Sequence, residues 1–273
     1  GMHISIDDTA RHLSMAALSE DAGLRGMHLN RSVFLSRPDA ASAEIACARI
    51  GCKPFQLACA SRIVRLPSAP RRRATKRSGP HHQQSSNLLV IRVASISRSH
   101  FARSAPTSYA KLLDLGFEPL DYTVETPVAN CPKGGCLHPL VSLLDALQAE
   151  GWMTLSAGAG DDAPLLRTAH HGQQLVEVLQ QMPWSSPNCV GGRMRGDLLL
   201  EYTVRFMRAY HKQRWAAVVS LDEADEDSGA RAVYLDGILY RFLRDATNSM
   251  RQNASRTVIA LLSDQGMGRG AYA

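Results

Sequence analysis

Three short segments carry side chains able to do chemistry. The first is Lys133-Gly134-Gly135-Cys136-Leu137-His138-Pro139. His138-Pro139 opens an amphipathic run through Leu140, Leu143, Leu144 and Leu147, which places the thiol at a helix start. Amide groups there hold anions and activate thiols, so Gly135, Cys136 and His138 form a candidate nucleophile with an anion cradle. The alternative is a structural cysteine, buried or bonded to Cys131. The second segment is Ser263-Asp264-Gln265-Gly266, directly after the apolar run Thr257–Leu262. A buried strand entering a polar, glycine-bearing turn is where open α/β folds place their ligands. The third is the acidic run Asp222-Glu223-Ala224-Asp225-Glu226-Asp227 after Trp215–Leu221. Its carboxylates suit a hard cation, with Asp225 the candidate ligand. It lacks the spaced glycine and terminal glutamate of an EF-hand loop, and it also reads as a solvated turn.

The histidines offer less. His81-His82 and His170-His171 are adjacent pairs, and neighbouring residues point in different directions in regular structure. Neither pair is a chelate by itself, and His171, beside Gly172, reads as a surface residue.

The elements that must position these groups become legible at Asn87. Leu88–Val93, Trp215–Leu221 and Thr257–Leu262 are mostly apolar runs, as buried parallel strands are. Leu120–Val124 and Trp152–Leu155 read as two shorter strands. Helices are expected over Thr107–Leu115, from His138, over Gln173–Met182, over Leu198–His211 and over Ala230–Ser249. Strands separated by helices predict an α/β fold, a three-layer sandwich around a mainly parallel sheet. Residues 1–86 are read as an irregular N-terminal region ending in a flexible linker. Within it, Ala40–Ile50 is expected to be a helix and Ser61–Leu66 an edge strand. Residues 87–273 are read as the α/β domain.

With 273 residues, 45% of them hydrophobic, the chain has enough apolar surface for a substantial core. No run of 18 apolar residues is present, and His3–Arg11 lacks the apolar core of a secretory signal. Charge is uneven. Residues 1–86 hold 13 Lys/Arg against 6 Asp/Glu, whereas residues 87–273 hold 18 against 19. Much of the excess lies in Arg71, Arg72, Arg73, Lys76 and Arg77, a run able to meet nucleic acid or an acidic surface. No aromatics interrupt it, and it also reads as a solvated linker. The six cysteines contain no CxxC, which argues against a zinc knuckle, while Cys47, Cys52 and Cys59 are close enough for one short disulfide. Asn30-Arg31-Ser32 and Asn253-Ala254-Ser255 are glycosylation sequons that matter only in a secretory compartment.

In order along the chain, several segments resemble the sulfatase-like branch of the alkaline phosphatase superfamily, in an uncharacterised subfamily. Asn87–Arg98 resembles its first strand and Ser-x-Ser-Arg turn. Glu150-Gly151-Trp152-Met153-Thr154 resembles its Gly-aromatic-x-Thr strand, Cys189-Val190-Gly191-Gly192-Arg193 its Cys-x-Gly-Gly segment, and Val258–Gly266 its Ser-Asp-His-Gly turn. The resemblance implies a phosphate or sulfate ester hydrolase using one or two divalent metals and a nucleophile at a helix start. It sets Cys136 at the nucleophile position and Asp264 at a metal position, and it implies a secretory, luminal or extracellular location.

The departures fall on the chemistry. Ala94 stands where the family has its first aspartate ligand, Gln265 replaces a histidine, and the acidic run has no histidine. Proline is one place late for a formylglycine site, whose arginine is missing. The family pattern continues beyond the Asp-His-Gly turn, so the domain reads as C-terminally truncated, with a final strand free for a partner. The expectation is a non-catalytic relative without a cofactor, acting as a structural or protein-interaction subunit, with a protein partner or a second copy. Two alternatives stay open. One is a metal-dependent phosphoester or sulfoester hydrolase using Zn, Ca or Mg at an altered site. The other is an anion or nucleic-acid binder acting through residues 71–77.

Overall fold

The computed structural model describes residues 29–35, 45–50, 57–61, 63, 65–66, 86–120, 138–158, 169–173, 175–176, 189–190, 193–224, 229–253 and 256–263. It is a mixed α/β fold. Strands β1 (Leu29–Leu35), β2 (Ile45–Ile50) and β3 (Leu57–Ser61) form an antiparallel sheet. Then come β4 (Asn87–Val93), helices α1 (Arg98–Ser104), α2 (Pro106–Asp114) and α3 (His138–Ala149), and strand β5 (Met153–Ala157). A two-stranded ribbon, β6 (Cys189–Val190) and β7 (Arg193–Met194), leads into α4 (Arg195–Ala209). Strand β8 (Trp215–Leu221), a 3₁₀ turn at Ala230–Val233, helix α5 (Tyr234–Asn253) and strand β9 (Thr257–Ser263) complete the order.

Four strands build the principal sheet in the order β5-β8-β4-β9, and every pairing is parallel. Alternation along each strand sends side chains to two separate cores. Leu89, Ile91 and Val93 of β4 and Ala217, Val219 and Leu221 of β8 meet α1, α2, α4 and α5 on one face. Val90, Ala216 and Val218 meet Leu144 and its neighbours on α3 across the other. Helices therefore cover both faces. All seven residues of β8 are buried, which explains a sequence apolar at every position but Ser220.

Most expected elements occur within a few residues of their expected bounds. The helix begun by Gln173 is present at Gln173, Leu175 and Val176, and its remainder lies outside the described residues. Two expectations for the N-terminal region fail. Ile45–Ile50, expected as the second half of a helix, is strand β2. Ser61, expected to open a strand, closes β3. Neighbouring strands override the weak local preference of these short apolar runs, because period and length cannot separate strand from helix there. The register sets Cys47 opposite Cys59 across β2 and β3. Leu120 is in no strand, and residues 121–124 lie outside the described set.

The edges of the principal sheet differ. Residues 169–172 lie along β5: Ser156 donates its N–H to the His171 carbonyl at 3.0 Å, and His171 donates to the Thr154 carbonyl at 3.1 Å. Gly172 has φ +106° and presses on Ser156, so a Cβ there would collide with the Ser156 carbonyl oxygen. Strand β9 forms the opposite edge and pairs, among the described residues, only with β4. Its Val258 and Leu262 are 55% and 45% exposed.

Gly172→Ala combines a left-handed backbone with a backbone collision. It should lower unfolding free energy by roughly 3 kcal/mol, measured by urea titration. A change under about 0.5 kcal/mol would mean that residues 169–172 do not hold this edge.

Candidate functional site

The register of the parallel sheet decides where its functional end lies. Val93 of β4 is level with Leu221 of β8 and with Ser263 of β9. Residues that follow these strands therefore leave the sheet along one carboxyl edge. Between β8 and β9 the chain crosses from one side of β4 to the other, and the carboxyl edge of an open α/β sheet is where such folds place their ligands.

At the centre is Ala94, 5% exposed, whose N–H donates to the Leu221 carbonyl at 2.9 Å. Ser95 follows with φ +56°, an uncommon backbone for a non-glycine residue, and it turns the chain sharply out of the sheet. Ile96 then donates its N–H to Ser263 Oγ at 3.4 Å, joining the ends of β4 and β9. Ser97 caps α1, its hydroxyl accepting from the His100 N–H at 3.2 Å. The centre of this edge thus offers a methyl group and hydroxyls.

The carboxylates lie beside it, on the turn after β8. Asp222 meets Arg195 Nη1 at 3.5 Å. Glu223 has no exposed surface, and its Oε1 accepts the N–H of Gly196 in the first turn of α4. A Cβ on Gly196 would crowd that carboxyl, so any larger residue there would push the Glu223 side chain aside. Burial, reinforced by the negative charge of Asp222, raises the Glu223 pKa to about 7, against the opposing pull of the Gly196 N–H and Arg195. The start of the acidic run is therefore not the solvated turn expected: Glu223 is enclosed beneath the start of α4. Helix packing hides this carboxylate, which no local pattern distinguishes from its neighbours. The only sequence signal was Gly196 near the start of an apolar helix.

A second polar cluster lies along β5. His170 Nδ1 is 2.9 Å from Thr154 Oγ1, and Gln148 Nε2 donates to the same hydroxyl at 2.6 Å. Burial, and then the neighbouring His171, lower the His170 pKa. His171 is not a surface residue as expected. It is 2% exposed, packs edge-on against Phe206 and at a tilt against Tyr210, and lies 2.8 Å from the Tyr210 hydroxyl through Nε2. That hydroxyl also accepts the Leu66 N–H at 3.0 Å. The two histidines point apart and serve different partners, as their adjacency requires.

Of the residues singled out in the sequence, Ala94 is placed at the predicted strand end and His138 begins α3. Gly135, Cys136, Asp225, Asp264, Gln265 and residues 71–77 lie outside the described residues. Among the described residues, no three His, Cys, Asp or Glu side chains converge as a cation site, and no helix is long and apolar enough to cross a membrane. No protein-family model matches the chain, and no curated protein matches it.

The pH dependence of Glu223 has a definite sign. Its unfolded pKa is the ordinary 4.5 and its folded value is about 7. Between these values the unfolded chain releases the proton first, so rising pH favours unfolding. The contribution is fully present below pH 4.5 and is lost as pH rises through 7, amounting to roughly 3 kcal/mol. Glu223→Gln keeps an oxygen for the Gly196 N–H and should flatten this decline. Urea titrations of both proteins from pH 4.5 to 8 test it, and parallel curves would exclude Glu223 as the source.

Proposed function

We propose that this chain is a non-catalytic interaction subunit on a sulfatase-like α/β scaffold. The end of β4 carries this reading. In the resemblance, that position supplies an aspartate to a divalent metal. Here it is Ala94, buried against the end of β8 with a side chain that cannot coordinate a cation. Hard metals need oxygen or imidazole ligands at about 2.0–2.6 Å, and a methyl group supplies none.

Neighbouring contacts support the same reading. Glu223 is engaged by the start of α4 and Asp222 by Arg195, so both carboxylates have structural partners. The exposed Val258 and Leu262 on the β9 edge support a partner-facing surface, because an apolar edge strand is a template for another chain. The parallel order and helices on both faces agree with the scaffold proposed.

The decisive assay follows 4-nitrophenyl phosphate and 4-nitrophenyl sulfate with Zn²⁺, Ca²⁺ and Mg²⁺, alongside metal analysis of protein purified without chelator. Turnover at the buffer rate and metal well below one equivalent are expected. Near-stoichiometric metal, with turnover lost in both Cys136→Ala and Asp264→Asn, would overturn the proposal in favour of hydrolysis. In native mass spectrometry the protein should occur as a defined complex that Val258→Lys/Leu262→Lys weakens; a strict monomer capturing nothing from its source extract would also count against it.

A further inference from the structure

A groove of about 630 Å³ runs between α4 and α5, with Ile63 and Arg65 on its third side. Leu200, Val204, Ile238 and Phe242 contribute apolar surface, and Arg65, Arg193, Arg205, Arg208 and Arg241 contribute five guanidinium groups. Three carboxylates share the lining: Asp197, Glu201 and Asp245.

All three are already engaged. Arg193 binds Asp197 at 2.8 Å and Glu201 at 2.6 Å, Arg241 reaches Asp197 at 3.0 Å, and Arg205 reaches Glu201 at 2.9 Å. Burial alone would raise both carboxyl pKa values, but the arginine contacts outweigh it and hold Asp197 and Glu201 below the usual range. Asp245 pairs at 2.9 Å with Arg244, which does not line the groove. The acids and their arginines thus form a fixed lattice along the wall. Arg65 and Arg208 take part in no ion pair among the described residues, and both are exposed. The Leu66 N–H bond to Tyr210 holds the segment carrying Arg65 against α4.

We infer that this groove takes an acidic, partly apolar peptide segment of a protein partner. Apolar side chains of the segment seat between α4 and α5, and its carboxylates meet Arg65 and Arg208. Guanidinium groups suit this task because their planar donors match carboxylate geometry. This inference rests on the interaction-subunit reading and specifies the chemistry of the partner.

The test uses the full chain and a fluorescein-labelled peptide of about twelve residues alternating Glu/Asp with Leu, read by fluorescence anisotropy. Arg65→Ser/Arg208→Ser removes the two unpaired cations and leaves the wall lattice intact; its thermal melt is expected to match wild type. Its Kd should rise at least tenfold. Replacing the peptide's leucines by serine should weaken binding by a similar factor, and added salt should weaken it further. Unchanged affinity in the double variant overturns the inference. So does binding that heparin or DNA competes away and that only serine substitution of Arg71–Arg77 abolishes, which would mark charge alone as the attraction. A partner complex that persists in Arg65→Ser/Arg208→Ser would overturn the groove assignment and leave the interaction-subunit reading standing.

Discussion

Strand β8 has no solvent-facing side, and the α/β domain is organised by that constraint. It lies between β5 and β4, with α4 over one face and α3 over the other. Its alanines and valines let both helical layers approach closely, and its backbone groups are satisfied by parallel neighbours. Trp215 at its start is buried against Phe206 of α4, with ring centroids 6.0 Å apart, and so aligns the long helix with the sheet. Fixing α4 then sets the buried contact of Gly196 with Glu223, the packing of His171 against Phe206 and Tyr210, and one wall of the arginine-lined groove.

At the carboxyl edge of the sheet the side chains take structural duties. Parallel register brings the ends of β8, β4 and β9 level. Ala94 closes the central position, Ser263 accepts from Ile96, Asp222 meets Arg195, and Glu223 receives an amide from α4. The Glu223 contact exchanges solvent for a few backbone amide donors in a buried place. Burial therefore dominates and favours the protonated acid, in contrast to Asp197 and Glu201, where nearby guanidinium groups reverse the balance.

Within the helical layer of α1, α2, α4 and α5, polar contacts across long sequence separations add to the apolar core. Asp236 of α5 accepts the Ser108 N–H at 2.6 Å and the Thr107 N–H at 3.3 Å, covering donors at the start of α2, and the Ser108 hydroxyl returns a bond to the Asp236 carbonyl at 2.7 Å. Burial works against ionisation of Asp236, but these donors outweigh it and lower its pKa. Such docking fixes one side of α5 against α2 and leaves its Arg241 side facing the groove.

The parallel sheet and its helices were legible in residues 87–263 because a strand buried on both faces is mostly apolar, and Trp215–Leu221 is apolar at every position but Ser220. Ala94 was legible as the residue after such a strand, and the failure of the two histidines to chelate followed from adjacency alone. Less was visible where distant packing decides. Ile45–Ile50 became a strand through its neighbours β1 and β3. His171 was buried by Tyr210, 39 residues away, and Glu223 by Gly196, 27 residues away. The sequence by itself determined the apolar periods, the strand ends and the chemistry each side chain can offer. Only the tertiary structure decided which of those groups lost water and which found partners, because desolvation and hydrogen bonding at these positions depend on segments far apart in the chain.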